Sequence, residues 1–154
     1  MDQELFHRTY EKYGPALYRF CLLQMKHPQD AEDVLQEVFV KRLYRAPVFQ
    51  SEEHERRWLF RVALNQCRDQ WKHSRRKEVP LQDAALVALP EEERTLLEQV
   101  AQLPEKLRTV IHLHYYEGYS VEEIARLLGI TVSAVKMRMK RGREALRDRW
   151  EDGR

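Results

Sequence analysis

Glycine and cysteine are both scarce in this chain, at 5 and 2 among 154 residues. A small β-sandwich or barrel needs a turn about every 8–12 residues, and neither enough glycine nor period-2 alternation bounded by turn residues is present to build one. Prolines at 15, 28, 47, 80, 90 and 104 leave long intervals free to be helical. The expected fold is therefore all-α. Cys21 and Cys67 each sit on an apolar helical face, and the N-terminus lacks the basic start, apolar run and small-residue cleavage site of a secretory leader. Those absences argue for reduced thiols and a cytoplasmic chain. No apolar run approaches the roughly 20 residues of a membrane-spanning helix, so no membrane insertion is expected. Internal repeats and low-complexity tracts are missing too. What remains is one or two small globular units, for which a 43% hydrophobic content is enough to make a core.

What the chain has in quantity is charge, and it comes in blocks. Formal net charge is only +2, yet residues 56–77 carry 8 basic and 1 acidic side chain, residues 78–106 carry 2 and 7, and residues 133–154 carry 8 and 4. Two basic patches are thus separated by an acidic stretch. That stretch holds Pro80, Pro90 and the run Glu91, Glu92, Glu93 around a short apolar piece, AALVAL, which is the composition of a flexible linker rather than of a third domain. The expected organisation is two small helical domains, 1–78 and 96–150, joined by an acidic linker over 79–95.

In the C-terminal domain the segment YSVEEIARLLGITVSAVKMRMKRG, from Tyr119 to Gly142, carries the sharpest local signals. Ser120 and Glu123 have the spacing of a capping box. Ile124, Ala125 and Leu128 line one helical face, Gly129 permits a left-handed turn, and Thr131 is placed to cap a second helix. On that second helix Val132, Val135, Met139 and Leu146 form an apolar line, which leaves Lys136, Lys140, Arg143 and Arg147 outward, flanked by Met137 and Arg141. Helix hairpins occur in many proteins that never touch DNA. The outward charge decides for a helix-turn-helix whose second helix reaches phosphates and base edges in a major groove.

Two N-terminal segments have contrasting faces. In ERRWLFRVALNQCRDQWKHSRRK, from Glu55 to Lys77, Arg57, Arg61, Asn65, Arg68, Lys72 and Arg75 or Arg76 recur at three- and four-residue steps. Trp58, Leu59, Val62 and Ala63 form one packing stripe beside them, and Phe60, Leu64, Cys67 and Trp71 another. A solvated helix face accounts for such an edge, and so does a groove for single-stranded nucleic acid, where aromatics stack bases beside cations that track the backbone. In HPQDAEDVLQEVFVKRLYRA, from His27 to Ala46, Asp30 is expected to be the N-cap and Asp33 the third helical residue, with Val34, Leu35, Val38, Phe39 and Leu43 as the core stripe. Glu32, Asp33, Gln36 and Glu37 then look outward with Val40. Phosphates are repelled by such a face, so a protein partner is expected for it.

These three segments, in this order, resemble the extracytoplasmic-function sigma factors of bacterial RNA polymerase, the compact two-domain members of the sigma-70 family, over nearly the whole chain. The resemblance implies a subunit that binds core RNA polymerase and directs promoter-specific initiation, with no enzyme activity, no cofactor and no metal of its own. By that resemblance Asp30, Asp33, Gln36, Glu37 and Phe39 meet the polymerase clamp helices. Trp58, Arg61, Asn65, Arg68, Asp69, Lys72, Arg75 and Arg76 belong to the segment that recognises and melts the minus-ten element. Thr131, Ser133, Lys136, Met137, Lys140, Arg141 and Arg143 belong to the helix that reads the minus-thirty-five element. Promoter DNA and an anti-sigma factor are the further partners implied, and the family's extended middle region and appended sensing domain are expected to be absent. There are departures from the pattern. Ser133 and Ala134 stand where the family often has Gly-Thr, Met137 replaces a frequent small polar residue, and Gly142 replaces a frequent alanine, so the family's promoter sequence does not carry over.

Two other classes fit less of the chain. A helix-turn-helix repressor or activator that is not a polymerase subunit accounts for residues 107–149, but it leaves the acidic helix and the cationic edge without a task and would normally dimerise. A metal-dependent enzyme built on His27, Asp30, Glu32, Asp33 and Glu37 would have to use cap and surface positions, and His112 and His114, two apart, point to different helical faces.

Overall fold

The computed structural model describes residues 2–74 and 90–152. Among them there are helices and connections but no strand. The chain divides into two compact units, split between Val79 and Pro80.

The first unit is a bundle of α1 (Gln3–Met25), α2 (Pro28–Tyr44) and α3 (Glu52–Ser74), each packed on the other two. Asp2 starts α1 by accepting the Leu5 N–H at 2.7 Å, one of the four orphan donors at a helix start. Lys26 ends it in the left-handed region at φ 64°, donating its N–H to the Leu22 carbonyl at 2.7 Å. Among the described residues it is the one non-glycine with positive φ, a conformation that a side chain disfavours.

The second helix begins earlier than expected. Its N-cap is His27, with Pro28 at the first helical position, so Asp30 is not the cap but lies inside the first turn. Proline presets the helical φ and has no N–H to leave unsatisfied there, and this outweighs the capping preference of an aspartate three residues on. Asp33 moves from the third to the sixth helical position accordingly.

Leu17, Phe20 and Cys21 of α1, Ala31, Val34 and Val38 of α2, and Leu59, Phe60, Ala63, Leu64 and Cys67 of α3 form the core, each at 1% exposure or less. Neither cysteine is in a disulfide, and both are sealed in this core. Phe20 and Phe60 meet edge-to-face at 5.4 Å, a geometry worth about 0.5–1.5 kcal/mol beyond the area it buries. The buried line on α3 is narrower than the two stripes expected: Trp58, Val62 and Trp71 are only half-buried, as is Leu43 on α2. In a bundle of three helices each has only two neighbours, too few to cover more than one stripe of it.

The second unit contains α4 (Glu91–Ala101), α5 (Glu105–Ile111), α6 (Val121–Leu128) and α7 (Val132–Asp152), with α5 running on into a π-helical turn at His112–Tyr116. Residues 91–95, expected to be linker, are the first turns of α4. Glu91, Glu92 and Glu93 lie at the positive end of its dipole, where acids favour a helix that composition alone read as a spacer. The remainder of the expected linker up to residue 89 lies outside the described residues. Arg108 is buried at 1% exposure and its Nη1 donates to the carbonyls of Ala101, at 3.3 Å, and Leu103, at 3.1 Å, so it satisfies the end of α4 with charge-assisted bonds.

Candidate nucleic-acid interface

The turn between α6 and α7 follows the local rules of its sequence. The Glu123 N–H donates to Ser120 Oγ and the Ser120 N–H to Glu123 Oε1, both at 3.1 Å, which closes the capping box. Gly129 is left-handed at φ 69° and its N–H bonds the Ala125 carbonyl. Thr131 Oγ1 then accepts the Ala134 N–H at 3.0 Å and starts α7. Val135 and Met139 are buried and anchor α7 on its neighbours. The outer surface is set by that anchoring. Thr131, Ser133, Lys136, Met137, Lys140, Arg141, Arg143 and Arg147 are all exposed. Met137, at 48% exposure, is an apolar side chain presented among cations, able to meet a thymine methyl in a major groove. Arg143 is partly committed to its own domain, since Nη1 donates to Tyr115 Oη at 3.4 Å.

The cationic edge of α3 is more closely fitted to the bundle. Asn65, Asp69 and Lys72 are exposed, whereas Arg61 and Arg68 are half-buried. Trp58 is half-buried beside Phe49, with ring centroids 5.6 Å apart. Arg75 and Arg76 lie outside the described residues. Lys41 Nζ, on α2, donates to Gln66 Oε1 at 2.7 Å and fixes α3 against α2.

On α2, Glu32, Asp33, Gln36 and Glu37 are exposed and Val40 stands among them at 47% exposure. The other two residues assigned to this face are not on it. Asp30 is 5% exposed and Phe39 is 3% exposed. Phe39 packs against the rings of Phe6, at 6.0 Å, and Tyr10, at 4.8 Å, because the helical spacing that turns Gln36 and Glu37 outward turns position 39 toward α1. Behind the face, burial and then the Glu32 carboxylate push the Tyr18 phenol above its ordinary pKa.

The carboxylates and histidine weighed as a metal centre are scattered: Asp30 is buried, Glu32, Asp33 and Glu37 face solvent, and His27 stands half-buried at the N-cap position of α2. Among the described residues no group of three or more His, Cys, Asp and Glu side chains is arranged to hold a metal ion. His112 and His114 have separate partners, Glu117 Oε2 at 2.8 Å and the Tyr119 carbonyl at 2.7 Å.

The Sigma-70 region 2 family model matches residues 9–77, which is the three-helix unit, and the Sigma-70 region 4 model matches residues 93–146, which is the helix-turn-helix unit. The chain belongs to the sigma-70 family. Its relatives place it among the extracytoplasmic-function members. It is 31% identical to the ECF RNA polymerase sigma factor SigW of Bacillus subtilis, over 98% of this chain and 91% of that one. It is 29% identical to the RNA polymerase sigma-H factor of Pseudomonas aeruginosa, over 94% and 86%. CnrH, solved in complex with the cytosolic domain of CnrY, is similar in structure at a TM-score of 0.74 and 27% identity, over 98% of this chain and 90% of that one. The sigma factor RpoE of Bartonella quintana, solved with the anti-sigma factor NepR, has the same fold at a TM-score of 0.78 and 22% identity, over 97% and 98%.

In this sigma factor α2 presents the exposed acids Glu32, Asp33 and Glu37, while one edge of α3 carries the half-buried Arg61 and Arg68 with the exposed Asn65, Asp69 and Lys72, and α7 presents Lys136, Lys140, Arg141 and Arg143. Arg108, His112 and Glu117 were not foreseen as structural residues. Their only sequence signal is polar residues on an otherwise apolar helical face.

Proposed function

We propose that this sigma factor divides its work among three surfaces. The exposed acids of α2, Glu32, Asp33 and Glu37 with Gln36, dock on the clamp helices of core RNA polymerase. The edge of α3, from Trp58 through Arg61, Asn65, Arg68 and Asp69 to Lys72 and on to Arg75 and Arg76, holds the minus-ten element as its strands separate. The outer face of α7, with Lys136, Met137, Lys140 and Arg141, reads the minus-thirty-five element, while Thr131, Ser133 and Arg143 hold its backbone. Asp30 and Phe39 act beneath the polymerase face as supports.

The protein directs promoter-specific initiation by RNA polymerase. The observation that carries this division of labour is the opposition of faces within one small unit. A helix presenting Glu32, Asp33 and Glu37 would repel DNA, and the next helix presents cations that would attract it. A repressor has no use for the first of these faces. On this reading the chain acts in the cytoplasm as a regulatory subunit, with no catalytic step of its own. An anti-sigma factor is included among its partners, in keeping with CnrH, whose structure was solved with a partner chain. Adding the purified protein to core polymerase and mapping transcription starts across genomic DNA tests the reading. Starts preceded at constant spacing by two short shared elements are expected, and polymerase that initiates no differently with the protein than without it would refute it.

A further inference from the structure

Among the described residues of α7 one large apolar side chain is left exposed, that of Met137, and it stands at a particular place on the helix. Val135 and Met139, at 0% and 3% exposure, are the buried positions that seat α7 on its neighbours. Met137 lies two residues from each, about 200° around the helix axis from both, so it projects directly away from the seat. Ser133, one turn before it, and Arg141, one turn after it, share this outermost line, with Lys136 and Lys140 to one side, and all four are exposed. A helix side chain leans toward the helix N-terminus, so Met137 covers the turn that opens with Ser133, whose short side chain leaves it room. The N-terminal residues of a recognition helix are those that contact base edges.

A single exposed methionine is ordinary on a protein surface, and its position is what decides here. The serine, lysines and arginine around it find acceptors on phosphates as readily as on bases. A thioether is at most a weak acceptor and gains only by removing apolar surface from water. In the major groove the apolar group that distinguishes one base pair from another is the C5-methyl of thymine. The methionine side chain is unbranched and turns about three bonds, which lets its tip follow such a group.

We propose, resting on the assignment of α7 to the minus-thirty-five element, that Met137 is a specificity-determining residue: it reads one thymine of that element through the C5-methyl group rather than through hydrogen bonds. Its readout is thereby of a different kind from that of Lys136 and Lys140, which can only donate to acceptors.

The test uses the full chain assembled with core polymerase, and a promoter selected by that holoenzyme from a library randomised across the minus-thirty-five element. Each thymine of the selected element, on either strand, is replaced in turn by uracil, which removes the methyl group and leaves every hydrogen-bonding group in place. One such replacement is expected to weaken competitive binding by the wild type roughly fourfold, the scale of one buried methyl group. Met137→Ala is expected to bind the thymine and uracil promoters equally. With cytosine at the same position, 5-methylcytosine puts a methyl group back at the same place in the groove, and it should strengthen binding by the wild type but not by Met137→Ala. Met137→Leu, which stays apolar, should keep most of the discrimination, and Met137→Gln, of similar length with a hydrogen-bonding tip, should lose it. A wild type indifferent to uracil at every position, or a selected element with no thymine on either strand, overturns the proposal and leaves the helix its other contacts. So does discrimination that survives at full size in Met137→Ala or Met137→Gln, or that is lost as completely in Met137→Leu as in Met137→Ala. A selection that yields no preference at any position of the element would overturn the assignment of α7 itself, and the reading by Met137 with it.

Discussion

A Cβ placed on Gly142 of α7 would stand 2.8 Å from Cγ1 and 3.0 Å from Cδ1 of Ile111 on α5. Ile111 is itself 2% exposed, in a cluster with Val100 and Leu103, so it has little room to withdraw. Ile111 thus leaves little space for any side chain at position 142. Gly142→Ala gains about 1 kcal/mol of helix propensity but incurs an overpacking penalty of about 1–3 kcal/mol, so a small net destabilisation is expected. Combining it with Ile111→Ala, which removes both contacting carbons, should recover about 1 kcal/mol relative to the sum of the two single changes. Denaturant unfolding of the four proteins measures that coupling, and strict additivity would mean that the two helices separate to make room.

On the proposed reading, exposed and buried residues of α2 divide into contact and support. Asp33→Lys combined with Glu37→Lys is expected to weaken binding to core polymerase by roughly tenfold or more while circular dichroism and thermal unfolding stay as in the wild type, because both side chains are exposed. The Gln29 Nε2 to Asp33 Oδ1 bond at 3.0 Å is also exposed, and its loss matters little. Phe39→Ala is expected to behave differently, lowering stability by about 3–5 kcal/mol and affinity only as a consequence. Undiminished affinity after both charge reversals removes this face from the interface.

On α7, Lys136→Ala or Lys140→Ala is expected to relax sequence preference by about 1–3 kcal/mol per lost base contact. Arg147→Ala, farther along the helix, should weaken binding to every sequence and lower the salt slope by about 0.9 per lost phosphate contact. Arg143→Ala is expected to do the same more weakly, since its guanidinium already has a partner in Tyr115. Binding isotherms on selected and scrambled duplexes at several salt concentrations distinguish the two kinds of loss. Equal losses on all sequences from every substitution would mean that the helix holds DNA without reading it.

The parts of this architecture that were legible in the sequence are those decided within a few residues. Ser120 with Glu123, Gly129 and Thr131 each act on a backbone group three or four positions away, and each formed the bond its spacing implied. The start of α2 was misread because two local signals competed and Pro28 prevailed over Asp30. The first turns of α4 were misread because three consecutive glutamates suit a spacer and a helix N-terminus equally. Arg108 and the buried pair of His112 and Glu117 were illegible for another reason. Their partners are backbone carbonyls or side chains brought together by the turns that end α4 and α5, and a polar residue on an apolar face gives no sign of what will satisfy it. The ion pair of Arg42 with Glu55 belongs to the same class, since the two are 13 residues apart across a connection without regular structure.

The edge of α3 is where an initiation factor and an ordinary duplex-binding regulator differ most. Separating strands costs a few kcal/mol for each unstacked step, and the protein must offset it with stacking, hydrogen bonds and charge along the exposed backbone. On the proposed reading the exposed Asn65 and Lys72 would supply these contacts together with Arg61 and Arg68, which are half-buried, so that their aliphatic stems also cover the bundle. Arg61→Ala with Arg68→Ala therefore needs a stability control, and the charge-keeping pair Arg61→Lys with Arg68→Lys provides one, since it retains most of the stem. The alanine pair is expected to leave affinity for core polymerase and for the minus-thirty-five element nearly unchanged while slowing formation of the open complex, and the lysine pair to recover part of the rate. Permanganate reactivity of unpaired thymines reports opening directly. A promoter supplied with its minus-ten element already unpaired should restore much of the lost rate, because the step that the arginines assist has then been made in advance. Opening at the wild-type rate by the alanine pair, or a defect that the unpaired template does not relieve, would reduce this edge to a solvated helix face.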